Sequence, residues 1–235
     1  MKRKRGITVI LGVMIICLTV AKFCMNIVEE NVRASTVGKM RMTVVLDAGH
    51  GGMDSGCVGA AGTLEKDVNL SVTMMLKDML ELNGFDVVLT RDSDRSIHDK
   101  GVKGIRNQKE SDMDNRLEII NKSGADALVM IHQNKFTDPQ YHGAQMFYSE
   151  DTEKADVFAD IMQRKFVEYL QPDNDREIKE CEDKIFLLER SEMPGVLIEC
   201  GFLSNPEEEA KLKTEDYQKD MAFTIFSGIV EFLDT

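Results

Sequence analysis

Short apolar runs of strand length recur along this chain, and the stretches between them place their apolar residues on single helical faces. The runs are MTVVL (Met42–Leu46), FDVVLT (Phe85–Thr90), DALVMI (Asp126–Ile131), AQMFY (Ala144–Tyr148), IFLL (Ile185–Leu188) and GVLIE (Gly195–Glu199). Their β-branched and aromatic content suits strands. Between the first two, Val68, Val72, Met75, Met79 and Leu82 share one helical face, and Asn83-Gly84 supplies the stop. Phe158, Ile161, Met162, Phe166, Tyr169 and Leu170 form a second stripe that ends before Pro172. SNPEEEA reads as a helix start: Asn205 caps, Pro206 takes the first turn, and Glu207 and Glu208 oppose the dipole. Tyr217, Met221, Ile225 and Ile229 mark a C-terminal helix. Strand–helix alternation of this kind predicts an α/β fold with a mostly parallel central sheet. The 15 methionines are expected to fill its core.

Charge is distributed unevenly. Residues 1–28 hold Lys2, Arg3, Lys4, Arg5 and Lys22 and no acidic side chain, which leaves 24 basic against 41 acidic residues in the remainder. A body that negative repels phosphate backbones, so nucleic acid is excluded as a partner. The basic start MKRKR and the apolar run Gly6–Ala21 form a membrane-targeting pattern. Residues 1–27 are therefore expected to be a signal peptide or signal anchor, and the chain to be exported across the cytoplasmic membrane, then secreted or held at the membrane. Residues 28–40 are polar and aperiodic and read as a linker; residues 41–235 read as one domain. Beyond the targeting segment only Cys57, Cys181 and Cys200 remain, with no CxxC pair, so neither a disulfide framework nor a zinc ribbon is expected.

Ligands of open α/β sheets collect beyond the carboxyl ends of the strands. His50 follows the first run by four residues, His132 follows ALVMI directly, and Glu199 closes GVLIE. Glu65 opens the first helical stripe. Two imidazoles and a carboxylate from separate elements can hold zinc and leave a fourth position for water. Each residue also has a plainer reading. His50 could be a turn residue beside glycines, His132 a hydrogen-bonded strand end, and Glu65 an acid that favours a helix dipole. Glu199 is harder to dismiss, because an apolar strand should not end in a carboxylate unless that group is solvated, paired or working. Spacing alone leads to a metal hydrolase and no further, since no HExxH-type signature is present.

The segments LDAGHGGMDSGCVG, LEKDVNL, VLTRDSD, RLEIIN, ADALVMIHQN, GAQMFY and MPGVLIECGFLSNPEE occur in this order over residues 42–232. Together they resemble the zinc-dependent N-acetylmuramoyl-L-alanine amidases of bacterial cell walls. GVKGIRNQKESDMDNRL and the short basic start are most similar to the spore-cortex branch, the CwlD type. The resemblance implies a phosphorylase/hydrolase-like α/β domain with a six-stranded sheet flanked by helices. It implies Zn(2+) as cofactor, His50, Glu65 and His132 as its ligands, and Glu199 as the catalytic carboxylate acting on a water. The bond cut would join the lactyl group of muramic acid to the L-alanine of the peptidoglycan stem peptide. In the cortex branch that cut is a step toward muramic δ-lactam, which places the protein at the forespore envelope. Arg116, Asn121 and Asn134 match family motifs and are expected to support the site. Met130 and Lys135 stand where relatives usually carry a Ser and a small residue; this altered MIHQNKF segment motivates the expectation of an accessory protein that assists metal loading.

His98 and His142 match nothing in that pattern and are expected to be solvated. Lys100, Lys103, Arg106 and Lys109 form a basic patch, either a solvated loop or a holder of stem-peptide carboxylates. Three other readings stay open: a zinc carboxypeptidase on the stem peptide, an inactive peptidoglycan-binding module, and a thiol hydrolase pairing Cys57 or Cys200 with His50.

Overall fold

A computed structural model describes Lys22, residues 41–181 and residues 185–235. The targeting segment 1–27 (apart from Lys22) and the linker 28–40 lie outside the described residues. Among those described, no helix is long and apolar enough to cross a membrane.

The body, Met42–Thr235, runs β1 (Thr43–Ala48), α1 (Glu65–Leu82), β2 (Asp86–Leu89), α2 (Ile105–Lys122), β3 (Ala127–Asn134) and β4 (Gln145–Tyr148). It continues with α3 (Ala155–Tyr169), β5 (Lys179–Glu180), α4 (Phe186–Arg190), β6 (Gly195–Phe202), α5 (Pro206–Leu212) and α6 (Glu215–Leu233). The six strands form one sheet in the order β2-β1-β3-β6-β4-β5. β2, β1, β3 and β6 are parallel to one another, and β4 runs antiparallel to β6. The α/β, mostly parallel reading holds.

Alternation along the strands builds two cores. Val44, Leu46, Val129, Ile131, Val196 and Ile198 face α1, α3 and α6, where Val72, Phe158, Met162 and Ile225 are buried. Val45, Leu128, Met130 and Leu197 point the other way, onto Ile120 of α2 and Leu187 and Leu188 of α4. A sheet covered on both faces needs near-continuous apolar strands, which is what β1, β3 and β6 have.

Helix ends follow the expected chemistry. Asn83 ends α1 and Gly84 adopts φ +88°. The Asn205 side chain accepts hydrogen bonds from the Glu207 and Glu208 amides, with Pro206 in the first turn of α5.

One expected strand is a helix. IFLL begins α4, and the sixth strand is instead Lys179–Glu180, paired beside β4. Periodicity cannot separate strand from helix over four apolar residues. Here a single helical turn suffices to bury Leu187 and Leu188 against the sheet face. The edge strand was illegible because it is short, exposed and polar, as edge strands commonly are.

Candidate active site

β1, β3 and β6 point their carboxyl ends at one rim of the sheet, and His50, His132 and Glu199 sit there. His132 and Glu199 are register partners on neighbouring strands. Glu65, 3% exposed, is the first residue of α1 and brings its carboxylate back to the same rim. Its Oε1 lies 3.1 Å from His50 Nε2 and 3.0 Å from His132 Nδ1. One donor atom from each of the three lies within 4.8 Å of the others, a cluster able to hold a metal ion. These imidazole and carboxylate donors are of the kind zinc takes.

The backbone is shaped around this cluster. His50 adopts φ +64°, in the left-handed region that costs a non-glycine residue about 1–2 kcal/mol. Gly56, at φ +65°, leaves no space for a side chain: a Cβ there would stand 2.4 Å from Glu65 Oε2 and 2.7 Å from His50 Cδ2. At Gly49 a Cβ would meet the His132 ring at 2.3 Å. The glycines around His50 are thus room for the other two donors.

Hydrogen bonds fix each donor. Glu65 Oε2 accepts from the Cys57 amide at 2.8 Å, and Oε1 accepts from the Gln133 amide at 3.2 Å and Asn69 Nδ2 at 3.3 Å. His50 Nδ1 meets Asp54 Oδ2 at 2.9 Å, which turns Nε2 toward Glu65 as the nitrogen that can bind a metal. Asp54 Oδ1 accepts from Lys109 Nζ at 2.8 Å. Burial works against charge on His50, but its hydrogen bonds to Asp54 and Glu65 outweigh it and lift the imidazole to about 9. Burial likewise opposes a charged Glu65, yet His132 and His50 hold its carboxyl well below the usual range. A carboxylate held charged between two imidazoles forms a cation's site.

Glu199 differs from Glu65. Its Oε2 is enclosed and has no hydrogen-bond partner among the described residues. Burial, partly offset by His132 and reinforced by Glu65, pushes its carboxyl up to about 7. A carboxylate left unsatisfied beside a cation site, with affinity for a proton near neutrality, suits a general base.

Beneath the rim lies a buried lattice of charge. Arg116 donates to Asp47 Oδ1 (2.7 Å), Asp112 Oδ2 (2.7 Å), the Ala48 carbonyl (2.8 Å) and the His50 carbonyl (2.6 Å). Arg91 donates to the carbonyls of Ala48, Gly49 and Lys66. Two buried guanidiniums thus clamp the loop that carries His50. The sequence had pointed to Arg116 but not to Asp47, Asp54, Arg91 or Asp112. Asp47 and Arg91 were findable by the argument applied to Glu199, since each is a charge directly following an apolar run, MTVVL and FDVVLT.

Other expected residues are not among the three clustered donors. Asn134 ends β3, and its Oδ1 accepts from the Lys135 amide. Asn121 ties α2 to the Arg190 carbonyl and the Glu192 amide. His142 is exposed as expected, but His98 is half-buried and bonded to Ser96 Oγ at 2.8 Å. The basic patch is not one loop: Lys100 and Lys103 precede α2, whereas Arg106 and Lys109 stand on it. Cys57, Cys181 and Cys200 are all free. Burial, with the Glu65 carboxylate adding, holds the Cys57 thiol far above its ordinary range, and burial does the same to Cys200. Neither offers the thiolate that a cysteine nucleophile requires.

Residues 44–231 match the family described as N-acetylmuramoyl-L-alanine amidase. The chain belongs to that family. Its reaction is therefore hydrolysis of the muramoyl–alanine amide, and its substrate is peptidoglycan. The amidase is 36% identical over 189 residues to the germination-specific N-acetylmuramoyl-L-alanine amidase of Bacillus subtilis (strain 168), covering 80% of this chain and 78% of that one. Among solved structures it is similar to the CwlD amidase from Clostridioides difficile in complex with the GerS lipoprotein (TM-score 0.80, 39% identity, 83% of this chain and 99% of that chain). It is also similar to the catalytic domain of CwlV, an amidase from Bacillus (Paenibacillus) polymyxa (TM-score 0.68, 31% identity, 82% and 98%).

Proposed function

We propose that this amidase is a zinc enzyme of the spore cortex, with His50, Glu65 and His132 as ligands and Glu199 as general base. The convergence of three metal-type donors beside the unpartnered Glu199 Oε2 carries the reading. Zinc, when bound, supplies a Lewis acid that polarises the scissile carbonyl and acidifies water. Glu199 takes a proton from the attacking water as its oxygen joins the lactyl carbonyl carbon. It then delivers that proton to the alanine nitrogen as the C–N bond breaks. Asp54 holds the His50 ring so that Nε2 faces the cation. The Cys57 and Gln133 amides hold the Glu65 carboxylate in place. Arg116 and Arg91 fix the loop beneath.

The cortex assignment is supported by the likeness to the germination-specific enzyme and to the CwlD amidase. The basic, apolar start supports export, with residues 1–27 as signal or anchor, 28–40 as linker and 41–235 as the catalytic domain. An accessory partner protein is supported by the GerS lipoprotein in complex with the C. difficile relative, and its assistance in metal loading by the altered MIHQNKF segment. Product analysis tests the reaction. Digestion of muropeptides should release peptides with new L-alanine N-termini, and EDTA should stop it until zinc is returned. Products shortened at the peptide's carboxyl end would identify a carboxypeptidase instead, and unchanged turnover in EDTA would remove the metal.

A further inference from the structure

A cavity of about 330 Å³ opens beside His50 and His132. Met53, Met113, Phe186, Leu187 and Leu197 give it an apolar wall, and Lys109 and Arg116 are the lysine and arginine that reach it among the described residues. The Arg116 side chain is buried and committed to Asp47, Asp112 and two backbone carbonyls. Lys109 is different. Its ammonium has three donors, Asp54 takes one at 2.8 Å, and the side chain is 48% exposed. A chain of net charge −12 thus keeps a cation with donors to spare at the mouth of its active-site cavity. Lys109, Met113 and Phe186 also line a second cavity, to which Asp114 and Glu110, itself paired with Arg106, contribute. Asp47, Asp54 and Asp112 also line the first cavity, each paired with a basic side chain: Asp47 and Asp112 with Arg116, Asp54 with His50 and Lys109.

The substrate carries charges of both signs. Muramic acid spends its carboxyl in the scissile amide, and N-acetylated sugars are uncharged, so the fixed charges lie on the stem peptide. Its first residue is alanine. The second is a glutamyl residue linked through its side chain, which leaves its α-carboxylate free. The third is a diamino acid with a free amine.

We propose that Lys109 is a specificity-determining residue that binds the free α-carboxylate of the second stem residue, with Glu110 and Asp114 facing the amine of the third. This deepens the amidase reading and rests on it for the substrate. A charge-assisted hydrogen bond at a half-exposed site is worth about tenfold in affinity. The test titrates the zinc-loaded full-length chain with the product tripeptide, alanyl-γ-glutamyl-diamino acid, and with the same peptide bearing an α-carboxamide. The wild type binds the carboxylate form about tenfold tighter, Lys109→Gln binds both forms alike, and Lys109→Arg keeps the preference. A role for Lys109 confined to bracing Asp54 would change both affinities equally and leave their ratio intact. Equal wild-type affinity for the two peptides, no measurable binding of either, or a preference that survives in Lys109→Gln overturns the proposal. The readout is binding of product, so an active amidase can fail this test, and a chain lacking hydrolytic activity can pass it.

Discussion

Replacing Glu199 by Gln keeps the side chain's shape and removes its charge. Burial lifts this carboxyl from 4.5 to about 7, so ionising it in place costs the folded, metal-free protein about 3 kcal/mol at pH 8. A carboxyl raised in the folded state contributes stability that is full below the unfolded value of 4.5 and lost as pH rises through 7. Glutamine has no such loss. In EDTA, therefore, Glu199→Gln and wild type should unfold alike near pH 4.5. The variant should pull ahead through neutrality and stand about 3 kcal/mol more stable at pH 8, or about 6–12 °C in Tm for a domain of this size. Zinc should narrow the gap, because a cation beside Glu199 offsets the cost of its charge. Hydrolysis should be lost while zinc is retained. Thermal unfolding at pH 5 and pH 8, with and without zinc, reads all of this. A variant whose stability relative to wild type is the same at both pH values refutes the burial argument, and one that turns over at the wild-type rate refutes the general base.

The supporting residues give further expectations. Gly56→Ala forces a Cβ against Glu65 and His50 at a left-handed backbone position, so zinc affinity should collapse, as equilibrium dialysis would show; unaltered affinity would mean the loop has slack. Asp54→Asn removes the charged partner of His50 Nδ1 and should weaken zinc binding about 10–100-fold with the circular dichroism spectrum intact. Arg116→Met removes the cation paired with buried Asp47 and Asp112 and the donor to the His50 carbonyl, and should cost about 3–5 kcal/mol in urea unfolding; a loss below 1 kcal/mol would show that Arg91 alone holds the loop.

The parts legible in the sequence were those dictated by local chemistry. β1, β3 and β6 are apolar because the sheet is covered on both faces, and their ends display His132, Glu199 and the His50 loop where an open α/β sheet gathers ligands. Asn205-Pro206 and Asn83-Gly84 punctuate helices through their own backbone preferences. Interactions that join distant segments were not legible. Lys109 lies 55 residues from Asp54, and Arg116 lies 66 from His50; nothing in either local pattern reports the pairing. IFLL failed for a related reason, since four apolar residues say that they are buried and not in which conformation. The identity of the chemistry came from the ordered set of motifs. The geometry adds why each donor stands where it does.

The account stands or falls on a cation held by His50, Glu65 and His132. Crystals of the zinc-loaded protein measured on either side of the zinc absorption edge test this directly. The expected result is one anomalous peak per chain, about 2.0–2.2 Å from His50 Nε2, His132 Nδ1 and a Glu65 carboxylate oxygen, with Glu199 beside it and outside the coordination shell. A peak centred elsewhere, or none, would contradict the account.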